Sequence, residues 1–565
     1  MKGLKREKQQ VSFRIINPGR ILAFLWVVAV CSQLVLQQSC EKKEKEDENL
    51  YLTVKLSGSG MQNESYYSLN YTERSVELEF SQPIDSLSIN GNISFSDRNG
   101  SLDSMCRSIA YGRKVILAFK PGFRLDDGWK YKIILKTGLR STSGSTLPSL
   151  TPIELRTSSR HLGIDNDSVS RNSIVCISDI HMGDPRSVTL GYCWFAKNAQ
   201  ALESLLNVVM TSQQVKQLVI LGDLFDEWVV PYRLSPFDSL SGINNSRDYF
   251  LSVANAPTNI NIINKLKDIA SGGTTQLIYI PGNHDMLLTQ EVLEEIIPGV
   301  IWQGDSPGLG HYSPFSEIIM EHGHRYDFFN CPQPLTTPGH MLPPGYFISR
   351  LDAEGLMEKR HSALKDTRSM EGDAEFMTAW TAAFEYLKIH YSITVAADSM
   401  NILMDGIDNF PGPYSFNGVR DKFAANIENA WTSTETGNGL PVSMPVLMAI
   451  LDGSIDLSFT AAYEYMQTTA PTQYRIVVFG HTHNPMLKVY PAGNIYTGIY
   501  ANTGSWVNAE LSSKPVRTFL VIKPGEWTGS DLDVVSLFQY NLDSGSGSPN
   551  PDFTPVLISE ESIDK

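Results

Sequence analysis

The chain has 565 residues, 42% of them hydrophobic and 19% charged, with a formal net charge of −15. This composition excludes a disordered chain and allows more than one domain with its own core. The acidic balance argues against binding a nucleic-acid duplex, so any phosphate chemistry needs local cations. The six cysteines, Cys31, Cys40, Cys106, Cys176, Cys193 and Cys331, form no CxxC pair, which argues against a zinc ribbon or a thioredoxin-type motif.

The first twenty residues carry Lys2, Lys5, Arg6, Lys8, Arg14 and Arg20, and the apolar run ILAFLWVVAVCSQLVL follows at 21–36. A basic stretch before a short apolar one predicts a secretory signal, since sixteen residues fall short of the roughly 20 of a membrane span. QQSC then ends at Cys40 and resembles a relaxed lipoprotein cleavage box, which implies lipidation of Cys40. The charged run EKKEKEDEN at 41–49 predicts a solvated tether. An uncleaved signal-anchor and plain secretion are the alternatives. All three place the folded part outside the cytoplasm, and the first two attach it to a bacterial membrane.

Residues 50–157 predict a small all-β sandwich. Runs such as SVELEFSQPI and KVILAFKPG are separated by Gly, Pro, Asn, Asp and Ser clusters, and Val76, Leu78 and Phe80 alternate towards one face. The order ELEFSQPID to LDDGWKYKIILKTGLRSTSGSTL resembles bacterial Ig-like modules of the surface-layer type, and with no catalytic constellation in the segment a spacer or docking module is expected. Residues 158–172 predict a linker.

From residue 173 the strands end differently. SIVCISDIHMGDP carries Asp179 and His181 after an apolar run, and QLVILGDLFDEW carries Asp223 and Asp226. QLIYIPGNHD carries Asn283, His284 and Asp285, EIIMEHGHRYD carries His322 and His324, and RIVVFGHTHNP carries His481 and His483. Alone, Asp-x-His and Gly-Asp-x-x-Asp are weak, the latter because Gly-Asp is ordinary turn chemistry, Gly-Asn-His-Asp is less usual, and Gly-His-x-His puts two imidazoles on one side of a strand. Together they predict one site, because strands of an α/β fold bring their ends to a common edge. Carboxylates, a carboxamide and imidazoles without thiolates suit Mn, Fe, Zn or Co. The donors Asp179, His181, Asp223, Asn283, His322, His481 and His483 exceed the four ligands of a structural zinc. They are enough for two ions about 4 Å apart sharing a carboxylate.

The ordered set Asp-x-His, Gly-Asp-x-x-Asp, Gly-Asn-His-Asp, His and Gly-His-x-His resembles the calcineurin-like metallophosphoesterase superfamily. The resemblance implies an α/β fold, a four-layer β-sandwich flanked by helices, here with a helical insertion at about 331–470. It implies Asp179, His181 and His483 on a first metal, Asn283, His322 and His481 on a second, and Asp223 bridging them. His284 would protonate the leaving oxygen and Asp226 would orient it. His322, which precedes a glycine, is favoured over His324. His324, Asp285 and Trp228 are candidates to support the ligands or face the substrate. The implied activity is hydrolysis of a phosphate mono- or diester by a metal-bridging hydroxide.

Glu227 and Trp228 stand where the Ser/Thr phosphatases of the superfamily continue with Arg-Gly. GDLFDEW is closer to UDP-2,3-diacylglucosamine hydrolases, so a pyrophosphatase acting on a lipid or nucleotide-sugar substrate is an alternative. His284 stands where many of those enzymes have Arg. A catalytically silent surface binding or adhesion lipoprotein is the alternative from another class. Within the insertion, EFMTAWTAAFEYLKIHYSITV at 375–395 has helical apolar spacing and predicts either core helices or a cap over the metals. The Pro-rich stretch 331–347 is a candidate hinge or pocket wall, and its His340 an ordinary loop residue. Asn502 to Trp506 are candidates for the site edge. The chain is expected to close with a flexible tail at 541–565.

Overall fold

The structure is a computed structural model. It describes residues 54–56, 61–62, 66–70, 73–126, 129–147, 152–158, 171–306, 308–332, 342–357, 401–402, 414–415, 427–440, 449, 453, 456–468, 474–491, 494–542 and 553–565. The signal segment, Cys31, Cys40, the tether, most of the linker, His340 and residues 375–395 lie outside the described residues. Among the described residues, no helix is long and apolar enough to cross a membrane.

The described strands between 54 and 158 form two sheets. One runs Val54–Leu56, Ser75–Phe80, Lys114–Phe119, Cys106–Tyr111; the other runs from Met61–Gln62 through Tyr66–Asn70, Ile153–Ser158, Lys130–Leu135 and Ile93–Asp97 to Gly100–Ser101. The alternation read in the sequence sets what is buried, because Val76, Leu78 and Phe80 share a core with Phe95, Leu117, Ile133 and Leu155.

The second unit stacks a seven-stranded sheet on a six-stranded one. In the first, Ile301–Trp302, Gln276–Ile280, Val215–Leu221 and Ser173–Ile177 run parallel, and Thr518–Lys523, Leu532–Leu542 and Phe553–Asp564 follow antiparallel. The second orders Gly304–Ser306, Leu309–Phe315, Ile318–Glu321, Ile476–Phe479, Gly498–Asn502 and Met486–Tyr490. Strand Ser173–Ile177 is buried at every position, as a parallel strand covered on both faces must be. Cys176, Leu221 and Ile280 face Met320, Val478 and Ala501 of the other sheet. The outer face of the first sheet packs Val175, Ile220 and Leu277 against Leu202, Leu205, Val209, Ile262 and Leu266 of helices Ala199–Thr211 and Ile260–Ser271. Each such side chain contributes about 1.5–3 kcal/mol by burial. The outer face of the second sheet is covered by helix Ser458–Tyr465. The order helix, sheet, sheet, helix makes four layers of mixed α/β structure.

The expected C-terminal tail is corrected over its second half. Phe553–Asp564 pairs with Leu532–Leu542 through eleven residue pairs. Leu557 packs against the core on the outer face of the first sheet and Ile563 against the core between the sheets. The strand also meets the first unit, where Arg156 Nη1 donates to the Ser562 carbonyl at 2.8 Å. Of the expected tail, 543–552 lie outside the described residues.

Candidate metal centre

Five apolar strands deliver the polar residues to one edge, and the turns that follow are strained. Asp179, His181, Asp223, His481 and His483 all have φ between 52° and 65°. Only one further described non-glycine residue, Arg517, has positive φ. This backbone region costs roughly 1–3 kcal/mol per residue and persists only where the surroundings impose it. The glycines between the turns allow the close fit. A Cβ on Gly282 would stand 2.1 Å from Asp223 Oδ1, and one on Gly222, itself at φ +83°, 2.6 Å from His322 Nδ1.

The side-chain atoms gather in two groups. In the first, His483 Nε2 lies 3.2 Å from Asp179 Oδ1 and 3.1 Å from His181 Nε2. In the second, Asn283 Oδ1 lies 2.9 Å from His322 Nε2 and 3.1 Å from His481 Nδ1. Asp223 Oδ2 stands between the groups, 3.7 Å from His181 Nε2 and 3.2 Å from His322 Nε2. Asp179, Asp223 and Asp226 are at most 2% exposed, and among the described residues their ion-pair partners are all histidines. Burial alone would raise these carboxyls, but His322 and His284 hold Asp223 well below the usual range and His483 holds Asp179 down. His322 moves the other way, up to about 9, because Asp223 and Asp179 outweigh its burial.

The contacts fit a divalent cation in each group. Asp179 Oδ1 is buried with the His483 ring nitrogen, 3.2 Å away, as its nearest ion-pair partner, and two imidazole nitrogens 3.1 Å apart repel unless a proton or a cation lies between them. Donor atoms about 3–4 Å apart surround a point about 2 Å from each, the length of a bond from a divalent metal to N or O.

Residues 173–381 match the family described as calcineurin-like phosphoesterase. The match covers 209 of the 565 residues and supports phosphoester hydrolysis as the chemistry of this part of the chain. No curated protein matches the sequence. Among solved structures, a purple acid phosphatase from yellow lupin (Lupinus luteus) seeds is similar over 88% of this chain and 73% of its own, at 10% identity and a TM-score of 0.23. The N-terminal part of the bacterial S-layer protein SbsC is similar over 23% of this chain and 29% of its own, at 15% identity and a TM-score of 0.14. CopC from Methylosinus trichosporium OB3b is 16% identical over 19% of this chain and 95% of its own, with a TM-score of 0.14. Likeness at these scores carries no weight beside the strand order itself.

Around the donors of the phosphoesterase domain, other side chains fix the rings. His322 Nδ1 donates to the Leu221 carbonyl at 2.6 Å, which leaves Nε2 facing Asn283 and Asp223. His324 turns away, its Nε2 2.7 Å from the Gly308 carbonyl. Burial, then His322 and His481, push its pKa well below the ordinary histidine value. Asp226 spans two rings, with Oδ2 3.1 Å from His181 Nδ1 and Oδ1 3.0 Å from His284 Nδ1. Asp285 accepts from the Leu224 and Gly282 amides at 2.9 and 2.8 Å and from the Tyr279 hydroxyl, so it braces the loops. Trp228 stacks on His284 with centroids 4.6 Å apart. Asn502 to Trp506 back the turns: Asn502 Nδ2 donates to the Gly480 carbonyl at 2.6 Å, and the Trp506 amide to that of Asp179 at 2.9 Å.

Two residues escaped the sequence reading. Asp327, 1% exposed, has Oδ2 3.0 Å from His481 Nε2 and so turns Nδ1 of that ring towards Asn283. The last letter of HGHRYD was its only signal. Trp194 stands 5.2 Å from His181, 5.9 Å from His284 and 6.4 Å from His483, centroid to centroid. Its loop is pinned by Asn508, whose Nδ2 donates to the Cys193 carbonyl at 3.1 Å, and nothing in its own sequence context announces it.

Proposed function

We propose that the protein is an extracytoplasmic hydrolase of phosphate mono- or diesters that works with two divalent metal ions. The observation that carries this is the pair of donor groups sharing Asp223 Oδ2, with His284 held beside them by Asp226. Asp179, His181 and His483 would hold one ion, Asn283, His322 and His481 the other, and Asp223 both. When bound, such ions supply Lewis acidity towards phosphoryl oxygens and lower the pKa of water.

The chain's own groups do the rest. Asp226 takes Nδ1 of His284 and leaves Nε2 to hand a proton to the departing ester oxygen. The amide of His284 donates to Asp223 Oδ1 at 2.8 Å. That leaves the other oxygen, Oδ2, to the metals and ties the proton donor to the carboxylate they share. The left-handed turns keep the donors preorganised, so little rearrangement accompanies the reaction.

The basic residues before the apolar run 21–36 support export, and Cys40 supports a lipid anchor on the outer side of a bacterial membrane. The two-sheet unit at 54–158 serves in this reading as an Ig-like spacer or docking module. The test uses residues 41–565 purified without chelator. Elemental analysis should find about two metals per chain, and Mn should support turnover of p-nitrophenyl phosphate or bis-p-nitrophenyl phosphate. Asp223→Asn should reduce that turnover by at least about a thousandfold. A folded sample with Mn supplied that binds no metal and turns over neither ester would overturn the proposal. The preferred ester separates monoesterase from diesterase.

A further inference from the structure

Helix Pro344–Met357 lies within the insertion and contributes none of the proposed metal ligands, yet two of its residues hold the loop that holds His284. Arg350 is fully buried. Its Nε donates to the Val230 carbonyl at 2.5 Å, its Nη2 to the Pro231 and Leu234 carbonyls at 3.2 and 2.6 Å, and its Nη1 to the Tyr346 hydroxyl at 2.9 Å. In return the Arg350 carbonyl accepts the Tyr232 amide at 3.0 Å. A rigid guanidinium fork used in this way fixes the course of a loop.

From that loop, two routes reach His284. The first is polar: the amides of Trp228 and Val229 donate to Asp226 Oδ1 at 3.0 and 2.8 Å, and the same oxygen holds His284 Nδ1. The second is aromatic: Tyr346 meets the Trp228 ring edge-on at 5.9 Å and 87°, and Trp228 stacks on His284 at 4.6 Å and 27°. A third tie closes the loop, with the Glu227 amide donating to the His284 carbonyl at 3.1 Å. An imidazole held at one nitrogen and on one face has little freedom left to turn.

We propose that Tyr346 and Arg350 are positioning residues for the proton donor, acting on His284 through Trp228 and Asp226. The inference rests on the reading of His284 as the group that protonates the leaving oxygen. It gives this helix of the insertion a part in the reaction, because a misplacement of 1 Å at a reacting group costs about 10²-fold in rate.

The test compares p-nitrophenyl phosphate, whose leaving group departs without a proton, with phenyl phosphate, whose leaving group needs one. Full-length Mn-loaded protein is used, and metal content is measured for every variant. His284→Asn should lower kcat on phenyl phosphate by at least about tenfold more than on p-nitrophenyl phosphate. Tyr346→Leu should reproduce that pattern at normal metal content, whereas Tyr346→Phe, which keeps the ring edge, should stay near wild type. Arg350→Met should behave like Tyr346→Leu, and if it does not fold, the Tyr346 pair still decides.

A readout independent of turnover, taken on protein loaded with diamagnetic Zn instead of Mn, is the carbon-13-labelled His284 Cε1–H resonance, which the Trp228 ring current shifts upfield. It should move in Tyr346→Leu and hold in Tyr346→Phe. If His284→Asn lowers both substrates equally, the proton-donor reading fails and takes this inference with it. If His284→Asn discriminates but Tyr346→Leu lowers both substrates equally, lowers neither, or leaves the resonance in place, the positioning role alone is overturned.

Discussion

The unit at 54–158 and the unit that begins at 171 are both pairs of sheets around apolar cores, but they finish their strands in opposite ways. In the first, every described residue with positive φ is a glycine, and its charges pair at the surface, as Lys114 does with Glu77 at 2.6 Å. In the second, five Asp and His residues take the left-handed backbone at strand ends, and their side chains are buried or nearly so. Five such residues at roughly 1–3 kcal/mol each approach the whole net stability of a domain, about 5–15 kcal/mol. Buried carboxylates that, among the described residues, pair only with histidines add to that cost. Strain and buried charge of this size fit a site that a bound ion would complete, and the described residues of the first unit show neither.

The strongest way to break this contrast is to remove the metals. Chelation should abolish turnover and weaken hydrogen-exchange protection of strands Ser173–Ile177, Val215–Leu221 and Ile476–Phe479, with strands Ser75–Phe80 and Lys130–Leu135 unchanged. Equal loss in both units would show that the metals are not what offsets the strain. Next in size is Asp327→Ala, which frees the His481 ring. It should weaken metal binding by about 10–100-fold, read by competition with a chromogenic chelator; unchanged affinity would show that His481 needs no help.

The pH dependence of metal uptake is a smaller effect. Metal-free His322, raised to about 9, keeps its proton below that pH, and an ion must displace it. Affinity should therefore rise by up to about tenfold per pH unit towards pH 9 and then flatten. By the same linkage, the stability that this proton lends the metal-free fold is fully present below about 6.5 and is lost as pH rises through about 9. Denaturant titrations of the metal-free protein across that window check the sign, and stability gained with pH would contradict it. The smallest effect on catalysis belongs to Leu78→Ala, in the core of the first unit. It should destabilise that unit by about 2–5 kcal/mol, seen by hydrogen exchange, with kcat unchanged. A fall in kcat would show that the units are coupled through contacts such as Arg156 with Ser562.

Much of the candidate site was legible because each piece is local. An apolar strand, a glycine and a polar tip are neighbours in sequence, so Asp179, His181, Asp223, Asn283, His322, His481 and His483 could be named before any distance was known. The edge they share followed from how α/β sheets converge. What escaped was long-range. Asp327 meets His481 across 154 positions and Asp226 meets His181 across 45. The strand Phe553–Asp564 follows a polar stretch that reads as the start of a tail, and only pairing with Leu532–Leu542 makes it part of the sheet. The sequence by itself determined which atoms could bind a metal and on which strands they would ride, since side-chain chemistry and hydrophobic patterning are properties of the chain. The packing of two sheets and a helix decided which ring nitrogen faces the cluster, which carboxylate lies between two groups and which aromatic ring lies on His284, because those are distances between residues that meet only when the chain is folded.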